Sequence, residues 1–208
     1  MNDSRDSKNS QYSSESDERL AELCKKEDDA AFQELMRRHM SHIYNFSRQY
    51  VRTAEDAEDI AQDTFFKVWK NARTFKKGRA FKPWLFTIAR NTALDFIKKK
   101  KAVVFSDLDD TENDLSFSDT LEDKEPSAHD LFESVENAAI IAEILEEIHP
   151  EHRSVLMLHY REEMTFDEIA VVVGKPMNTV KSWHRRALIK LRELLSHRKG
   201  GSARNNQY

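Results

Sequence analysis

Residues 165–194, TFDEIAVVVGKPMNTVKSWHRRALIKLREL, decide the fold of the C-terminal part of this 208-residue chain. Thr165 and Glu168 have the spacing of a capping box, which satisfies free N–H groups at the start of a helix. Gly174 follows the apolar positions of that helix and supplies the left-handed residue with which helices commonly end. The stretch therefore predicts two helices separated by a tight turn.

The second helix of this pair, with Asn178 as its predicted N-cap, combines a buried stripe with a basic outer face. Its polar side chains lie largely off the apolar stripe, near the N-terminal end; they are Thr179, Lys181, Ser182, Arg185 and Arg186. This is the arrangement of a helix-turn-helix, here about residues 166–185, whose second helix enters the major groove of DNA. Lys and Arg can reach phosphates or guanine edges there. The alternative is an ordinary helical hairpin, but the agreement of cap, turn and basic face favours DNA binding.

The rest of the chain is also predicted to be helical. It has only four Gly and four Pro residues, and 34% of all residues are charged, which favours helices over strands. Apolar residues recur at helical spacing over about 18–51, with a break near 26–29, and again over 54–72. A fourth helix has Pro83 in its first turn, where the missing N–H costs nothing, and ends at the lysines 98–101.

Two further helices precede the helix-turn-helix, one beginning near Ser134 and one over Ser154–Tyr160, with Pro150 breaking the pattern between them. We therefore predict an all-α protein made of two small helical domains that are joined by a flexible acidic linker.

The predicted boundaries follow from these patterns. They are a disordered tail at 1–17, a first domain at 18–101, the linker at 102–133, a second domain at 134–196 and a disordered tail at 197–208.

Charge is distributed unevenly along the chain, although the net charge is only -4. Residues 67–101 contain 12 basic residues and 1 acidic residue, whereas residues 102–149 contain 1 basic and 15 acidic residues. Residues 175–204 are basic again, with 9 basic residues and 1 acidic residue. Such asymmetry indicates two nucleic-acid contact surfaces joined by a segment that does not bind the same polyanion. Taken alone, the composition also fits solvated helix faces that happen to cluster.

Several other classes of protein and site are disfavoured. No segment approaches 18 consecutive apolar residues and the N-terminus lacks an apolar signal region, so we expect a cytoplasmic protein without membrane insertion. Cys24 is the only cysteine and cannot form an internal disulfide. Neither His39 with His42 nor His149 with His152 has further ligands nearby in sequence, so we expect no metal. No phosphate-binding glycine loop or nucleophile motif is present, so we expect no cofactor and no enzymatic activity.

The third helix carries an acidic face within DAEDIAQDTFFKVWK, residues 56–70. This face lies opposite the core stripe and consists of Asp56, Asp59, Gln62, Asp63 and Phe66. Because carboxylates repel DNA, a face that combines them with a protruding aromatic ring suits a basic protein partner.

The basic loop RTFKKGRAF, residues 73–81, leads into the fourth helix. Phe75 and Phe81 either accept an unstacked base beside a rim of basic side chains or pack inward as a helix connection, and the sequence leaves both open. Asn91 and Asp95 lie one turn apart on an exposed side of the helix that follows.

Four segments in this order resemble the extracytoplasmic-function sigma factors: DAEDIAQDTFFKVWK, FKPWLFTIARNTALDFIKKKK, LEEIHPEHRSVLMLHY and NTVKSWHRRA. The resemblance covers both predicted domains. It implies a sigma factor that binds core RNA polymerase, recognises the minus-35 and minus-10 promoter elements and promotes transcription initiation of a stress- or signal-response regulon. It also implies contacts with the β′ clamp helices and the β flap of the polymerase, with promoter DNA and with an anti-sigma factor.

The same resemblance implies roles for individual residues. The β′ clamp helices would be bound by Asp56, Asp59, Gln62, Asp63 and Phe66. The melted minus-10 element would be captured by the 74–81 loop, including Lys77 and Arg79, together with Arg90, Asn91, Asp95 and Lys98. The minus-35 duplex would be read by Thr179, Lys181, Ser182, Arg185 and Arg186.

Two residues depart from the usual family pattern, Trp183 in place of Arg and His184 in place of an aliphatic residue. Trp183 either stacks on the sugar-phosphate edge or packs against the preceding helix, and we expect His184 to cap the core edge without touching DNA. Two other classes of protein share part of this pattern. A two-component or quorum-type activator would carry an α/β or ligand-binding domain before its helix-turn-helix, and a protein that only sequesters a polymerase subunit would not need a basic recognition helix.

Overall fold

The computed structural model describes residues 12–104 and 144–202, and within these ranges the chain forms helices and connecting loops without strands. This confirms the predicted all-α class. The α-helices bounded within the described residues are α1 Asp17–Cys24, α2 Asp29–Ser47, α3 Ala54–Lys70, α4 Phe81–Val104, α5 Pro150–Tyr160, α6 Phe166–Val173 and α7 Met177–Ser202. None of the described helices is both long and apolar enough to cross a membrane.

Helices α1 to α4 form the first unit, and local caps set where α1, α2 and α3 begin. The Asp28 carboxylate accepts hydrogen bonds from the N–H groups of Ala30 and Ala31, both at 3.1 Å, so the predicted break near 26–29 is a helix start. Large side chains from each helix fill the core, with Leu20, Leu35, Phe65 and Phe86 almost completely buried. Each such side chain stabilises the fold by roughly 1.5–3 kcal/mol relative to exposure.

The N-terminal segment is ordered further out than the predicted boundary at residue 18. Arg38 of α2 donates hydrogen bonds to the backbone carbonyls of Tyr12, Ser13 and Glu15 at 2.8–2.9 Å. The prediction of a disordered tail is therefore wrong for residues 12–17, because an arginine 21 or more positions away holds this backbone. Residues 1–11 lie outside the described residues.

Helices α5 to α7 form the second unit. Helix α5 begins at Pro150, four residues earlier than predicted, because proline fits the first helical position. Thr165 and Glu168 form the predicted capping box, and Gly174 ends α6 in the left-handed conformation with φ of +67°. Helix α7 begins at Met177, so that Asn178 lies inside the helix and is not its N-cap.

Helix α7 also continues to Ser202, beyond the predicted end of the domain at residue 196. The backbone of the predicted tail is thus helical up to residue 202. The linker at 102–133, apart from the end of α4, and the helix start predicted near Ser134 lie outside the described residues.

The two helical units pack against each other, which the sequence did not predict. Helix α6 lies along α4. Val155, Leu158 and Val172 of the second unit belong to the same buried cluster as Phe46 and Leu85 of the first. The faces that meet are apolar, so burying them removes hydrocarbon surface from water on both sides.

Candidate nucleic-acid and partner interface

Helix α3 exposes its acidic face to solvent. The Thr53 hydroxyl caps the helix by accepting the Asp56 N–H at 3.1 Å, and Ile60 and Phe65 point into the core. On the opposite side, Phe66 is 65% exposed. Asp59, Gln62 and Asp63 are exposed as well, and Asp56 is half-buried. The predicted set therefore shares one face of α3, and its role in binding stays a prediction.

Asp56 is already engaged within the molecule. Its two carboxylate oxygens accept hydrogen bonds from Lys100 Nζ of α4 at 2.9 and 2.7 Å. These bonds, with the contact from Thr53, lower the pKa of the Asp56 carboxyl below its ordinary value. The carboxylate is thus held in its charged form, with its partner on the neighbouring helix.

An open groove of about 520 Å³ runs between α3 and α4. Across this groove, Lys67 Nζ lies 3.6 Å from Oδ2 of Asp95. The groove is lined by Asp59, Gln62, Asp63, Lys67, Thr92, Asp95, Phe96, Lys99 and Lys100. The acidic surface and the basic surface of the first unit therefore adjoin.

In the basic segment 73–81, the basic side chains are exposed to solvent and the two phenylalanine rings are buried. Phe75 is 2% exposed and Phe81 is fully buried, with their ring centroids 6.0 Å apart and both rings near Trp84. The inward-packing alternative is correct, so neither ring is available to receive an unstacked base. Lys77 and Arg79 are exposed around the turn at Gly78, whose φ is +81°.

The predicted minus-10 residues on α4 are not all on one open face. Asn91, Asp95 and Lys98 are exposed. Arg90 instead has a side chain that is only 13% exposed, and it donates a hydrogen bond from Nη2 to Oε1 of Glu151 at 2.7 Å. Its partner belongs to the second helical unit.

The turn after α6 presents the N-terminal half of α7 outward. Val180 is fully buried and fixes the inner face of the helix, as do Ala187 and Leu191. Of the residues predicted to read DNA, Lys181 is exposed, and the half-exposed ones are Thr179, Ser182, Arg185 and Arg186. This geometry matches a recognition helix, in which polar side chains near the N-terminus reach base edges and phosphates.

Trp183 and His184 both contact protein. The Trp183 ring is half-buried against the core cluster, 5.7 Å from the ring of His152. His184 is 6% exposed, and its Nε2 shares a 2.9 Å hydrogen bond with the hydroxyl of Tyr160. Aromatic packing against α5 thus accounts for both departures from the family pattern.

Comparisons with known proteins match this architecture. A family model described as Sigma-70 region 2 matches residues 35–103, and one described as Sigma-70, region 4 matches residues 138–191. The chain is 31% identical to RNA polymerase sigma factor CarQ of Myxococcus xanthus over 79% of this chain and 89% of that protein. It is 30% identical to ECF RNA polymerase sigma factor SigW of Bacillus subtilis, over 82% of this chain and 92% of that protein.

A solved structure, CnrH in complex with the cytosolic domain of CnrY, is similar with a TM-score of 0.62 and 25% identity. The similarity covers 87% of this chain and 97% of the matched one. The chain belongs to the sigma-70 family of RNA polymerase sigma factors. It is a promoter-recognising transcription initiation factor of the extracytoplasmic-function type. We call the first helical unit region 2 and the second region 4.

Sequence reasoning missed the contacts between regions 2 and 4 of this sigma factor. Glu151 of α5 accepts a hydrogen bond from Arg90. Both carboxylate oxygens of the buried Glu162, which follows α5, lie 3.0 Å from Nδ1 of His42. Ser154 Oγ donates to the hydroxyl of Tyr50 at 2.9 Å. Each pair is separated by more than 60 positions, so no periodicity links its members. Glu162 gave no local signal either, because it stands in the charged stretch 161–163 and only the structure shows that it is buried.

Proposed function

We propose that this sigma factor docks on core polymerase through the acidic face of α3 and reads its promoter through α4 and α7. The observation that carries this assignment is the exposure of two adjoining surfaces of opposite charge on region 2. The carboxylates of α3 face a basic protein partner, the β′ clamp helices, because complementary charge steers such encounters. The basic residues of α4 and its preceding loop face the minus-10 strand.

The minus-35 element is read by the N-terminal half of α7. Lys181 and Arg185 are long enough to reach guanine edges in the major groove, while Thr179 and Ser182 contact bases or phosphates nearer the helix start. Region 4 also carries the contact with the β flap. We extend region 2 to about 12–104 and the end of region 4 to 202, while the start of region 4 at 134 and the acidic linker before it stay as predicted from the sequence.

The chemistry of RNA synthesis belongs to the polymerase, so the sigma factor has no enzymatic activity, cofactor or metal of its own. Since polymerase and promoter DNA are its partners, it acts in the bacterial cytoplasm. Its regulon answers a stress or another signal. An anti-sigma factor holds it inactive until then. The similar CnrH likewise has a protein partner, since its structure is a complex with the cytosolic domain of CnrY.

Charge reversal on α3 tests the docking assignment. The variant D59K/D63K should lose co-elution with core polymerase, since both carboxylates are exposed and neither is required by the core. Its circular dichroism spectrum should match that of the wild type. The reversal E55K at the exposed start of the same helix is the matched control and should still co-elute. Normal co-elution of D59K/D63K contradicts the assignment.

A further inference from the structure

Arg90 links the proposed minus-10 surface to region 4. Its Nη2 donates to Oε1 of Glu151 at 2.7 Å, and the two side chains are only 13% and 23% exposed. A charge-assisted hydrogen bond of this length, shielded from solvent, is stronger than a surface ion pair. Region 4 thus holds a residue that region 2 would use to bind DNA.

The ion pair leaves one hydrogen-bonding atom of each side chain unpaired. Within the described residues, Arg90 Nε and Glu151 Oε2 are buried without a hydrogen-bond partner. A guanidinium binds two oxygens most favourably when both of its parallel N–H groups are used, as with a phosphate. A DNA phosphate can therefore replace the carboxylate on Arg90 and use the donor that Glu151 leaves unpaired.

Neighbouring contacts fix α5 over this part of region 2. Both carboxylate oxygens of Glu162 lie 3.0 Å from Nδ1 of His42, and Lys82 Nζ donates to the carbonyl of Glu162 at 3.3 Å. The Ser154–Tyr50 hydrogen bond lies one helical turn beyond Glu151. Glu151 itself lies in the first turn of α5, where the helix dipole favours a carboxylate. These contacts position the Glu151 carboxylate beside Arg90 in the free protein.

The closed arrangement is incompatible with simultaneous promoter recognition. The two elements, by their positions, are centred about 25 base pairs apart, or roughly 85 Å of duplex at about 3.4 Å per base pair. In the closed form α6 of the helix-turn-helix lies directly against α4. The two regions must therefore separate before each can reach its own element.

We propose that Glu151 occupies the place of a DNA phosphate on Arg90, so that region 4 and promoter DNA compete for the same side chain of region 2. The free sigma factor is thereby held closed, and opening exposes Arg90 at the moment when region 4 leaves. This inference rests on the proposed role of Arg90 in minus-10 binding.

The full-length protein tests the competition with two readouts. Energy transfer between dyes at K26C and R192C, in a C24A background, reports the separation of the regions. Binding of a labelled random-sequence single-stranded oligonucleotide reports access to the phosphate-binding surface, because phosphate contacts are independent of sequence. The key variant is Glu151→Gln, and Glu147→Gln, which removes the same charge from an exposed position nearby, is the control.

Glu151→Gln should lower energy transfer and tighten oligonucleotide binding by about fivefold or more, because exposed ion pairs contribute up to about fivefold and this pair is shielded from solvent. The gain should vanish in the double variant E151Q/R90A, and Glu147→Gln should change neither readout. If Glu151→Gln binds the oligonucleotide no better than Glu147→Gln does, the competition is overturned.

A separate measurement tells this failure from failure of the proposed function. Polymerase holoenzyme with Arg90→Ala should lose promoter opening, as permanganate reactivity of minus-10 thymines reports. Full opening by that holoenzyme removes the role of Arg90 and the competition with it. Defective opening, combined with unchanged oligonucleotide binding by Glu151→Gln, overturns the competition alone. Thermal unfolding followed by circular dichroism verifies that each variant is folded.

Discussion

Lys100 Nζ of α4 lies 2.7 Å from Oδ2 of Asp56 on α3, so the proposed promoter-binding helix is ion-paired with the proposed polymerase-binding helix. Lys100 is 58% exposed and Asp56 is 16% exposed, which leaves the pair open to competition from solvent and partners. A basic surface of the polymerase must displace Lys100 if it is to take both oxygens of Asp56.

Replacing Lys100 by Ala should therefore tighten binding to core polymerase by a few-fold, since exposed ion pairs contribute modestly. Titration of fluorescent sigma factor with core polymerase measures the effect. Lys99→Ala removes the same charge one position earlier and serves as the control. Equal affinities for the two variants would show that the ion pair does not restrain Asp56.

The two basic surfaces should differ in what they contribute to DNA binding. Lys181→Ala or Arg185→Ala should reduce discrimination among upstream sequences by about tenfold at one position, because a good base contact is worth roughly 1–3 kcal/mol. K99A/K100A should weaken binding evenly and flatten its salt dependence, as expected for lost phosphate contacts. Holoenzyme binding to a promoter library at several salt concentrations measures both effects. An even loss with Lys181→Ala and Arg185→Ala would reduce these side chains to phosphate contacts.

Trp183 should contribute to the stability of region 4 and not to sequence discrimination. Its half-buried ring packs against the core and His152, so Trp183→Ala should lower the free energy of unfolding by about 1–3 kcal/mol, less than for a fully buried ring. Chemical denaturation measures this loss, with the exposed Lys181→Ala as a control of unchanged stability. Wild-type stability together with weaker DNA binding would instead indicate that the ring stacks on DNA.

His152 should make stability depend on pH in a defined direction. Burial, followed by the nearby charges of His149 and Arg186, lowers the pKa of His152 to about 4 from an ordinary value of 6.5. Between these two values the unfolded chain binds a proton that the folded chain does not bind, so the free energy of unfolding should decrease as the pH falls from 6.5 towards 4. Above pH 6.5 this contribution is constant.

Denaturation curves over this pH range measure the effect of His152. His152→Leu should lose less stability on acidification than the wild type, whereas His197→Leu, at an exposed position of α7, should follow the wild type. Parallel pH profiles for wild type and His152→Leu would contradict the assigned burial.

Local sequence signals predicted the features that depend on neighbouring residues. Thr165, Glu168 and Gly174 specify one helix and the turn after it, because a cap and a left-handed residue act within a few positions. The acidic face of α3 was predictable for the same reason, since helical periodicity alone separates Phe66 from the buried Phe65.

Features that depend on distant residues were not predictable. From the sequence, Phe75 and Phe81 could face the core or solvent, because the segment 73–81 was predicted as a loop and a loop has no periodicity to orient its side chains. The burial of Arg90 depends on Glu151, 61 positions away on another helix. The ordered backbone of residues 12–17 likewise depends on Arg38, and no local pattern in that polar segment predicts this contact.

Run-off transcription tests the central claim most directly. Purified core polymerase is supplied with genomic DNA of the source organism, with or without the full-length protein, and the transcripts are sequenced. The account predicts new transcripts that begin a fixed distance downstream of one shared pair of sequence elements, and their loss with D59K/D63K. Identical transcripts with and without the protein, under conditions in which another sigma factor directs initiation, would contradict the claim that this chain is a promoter-recognising initiation factor.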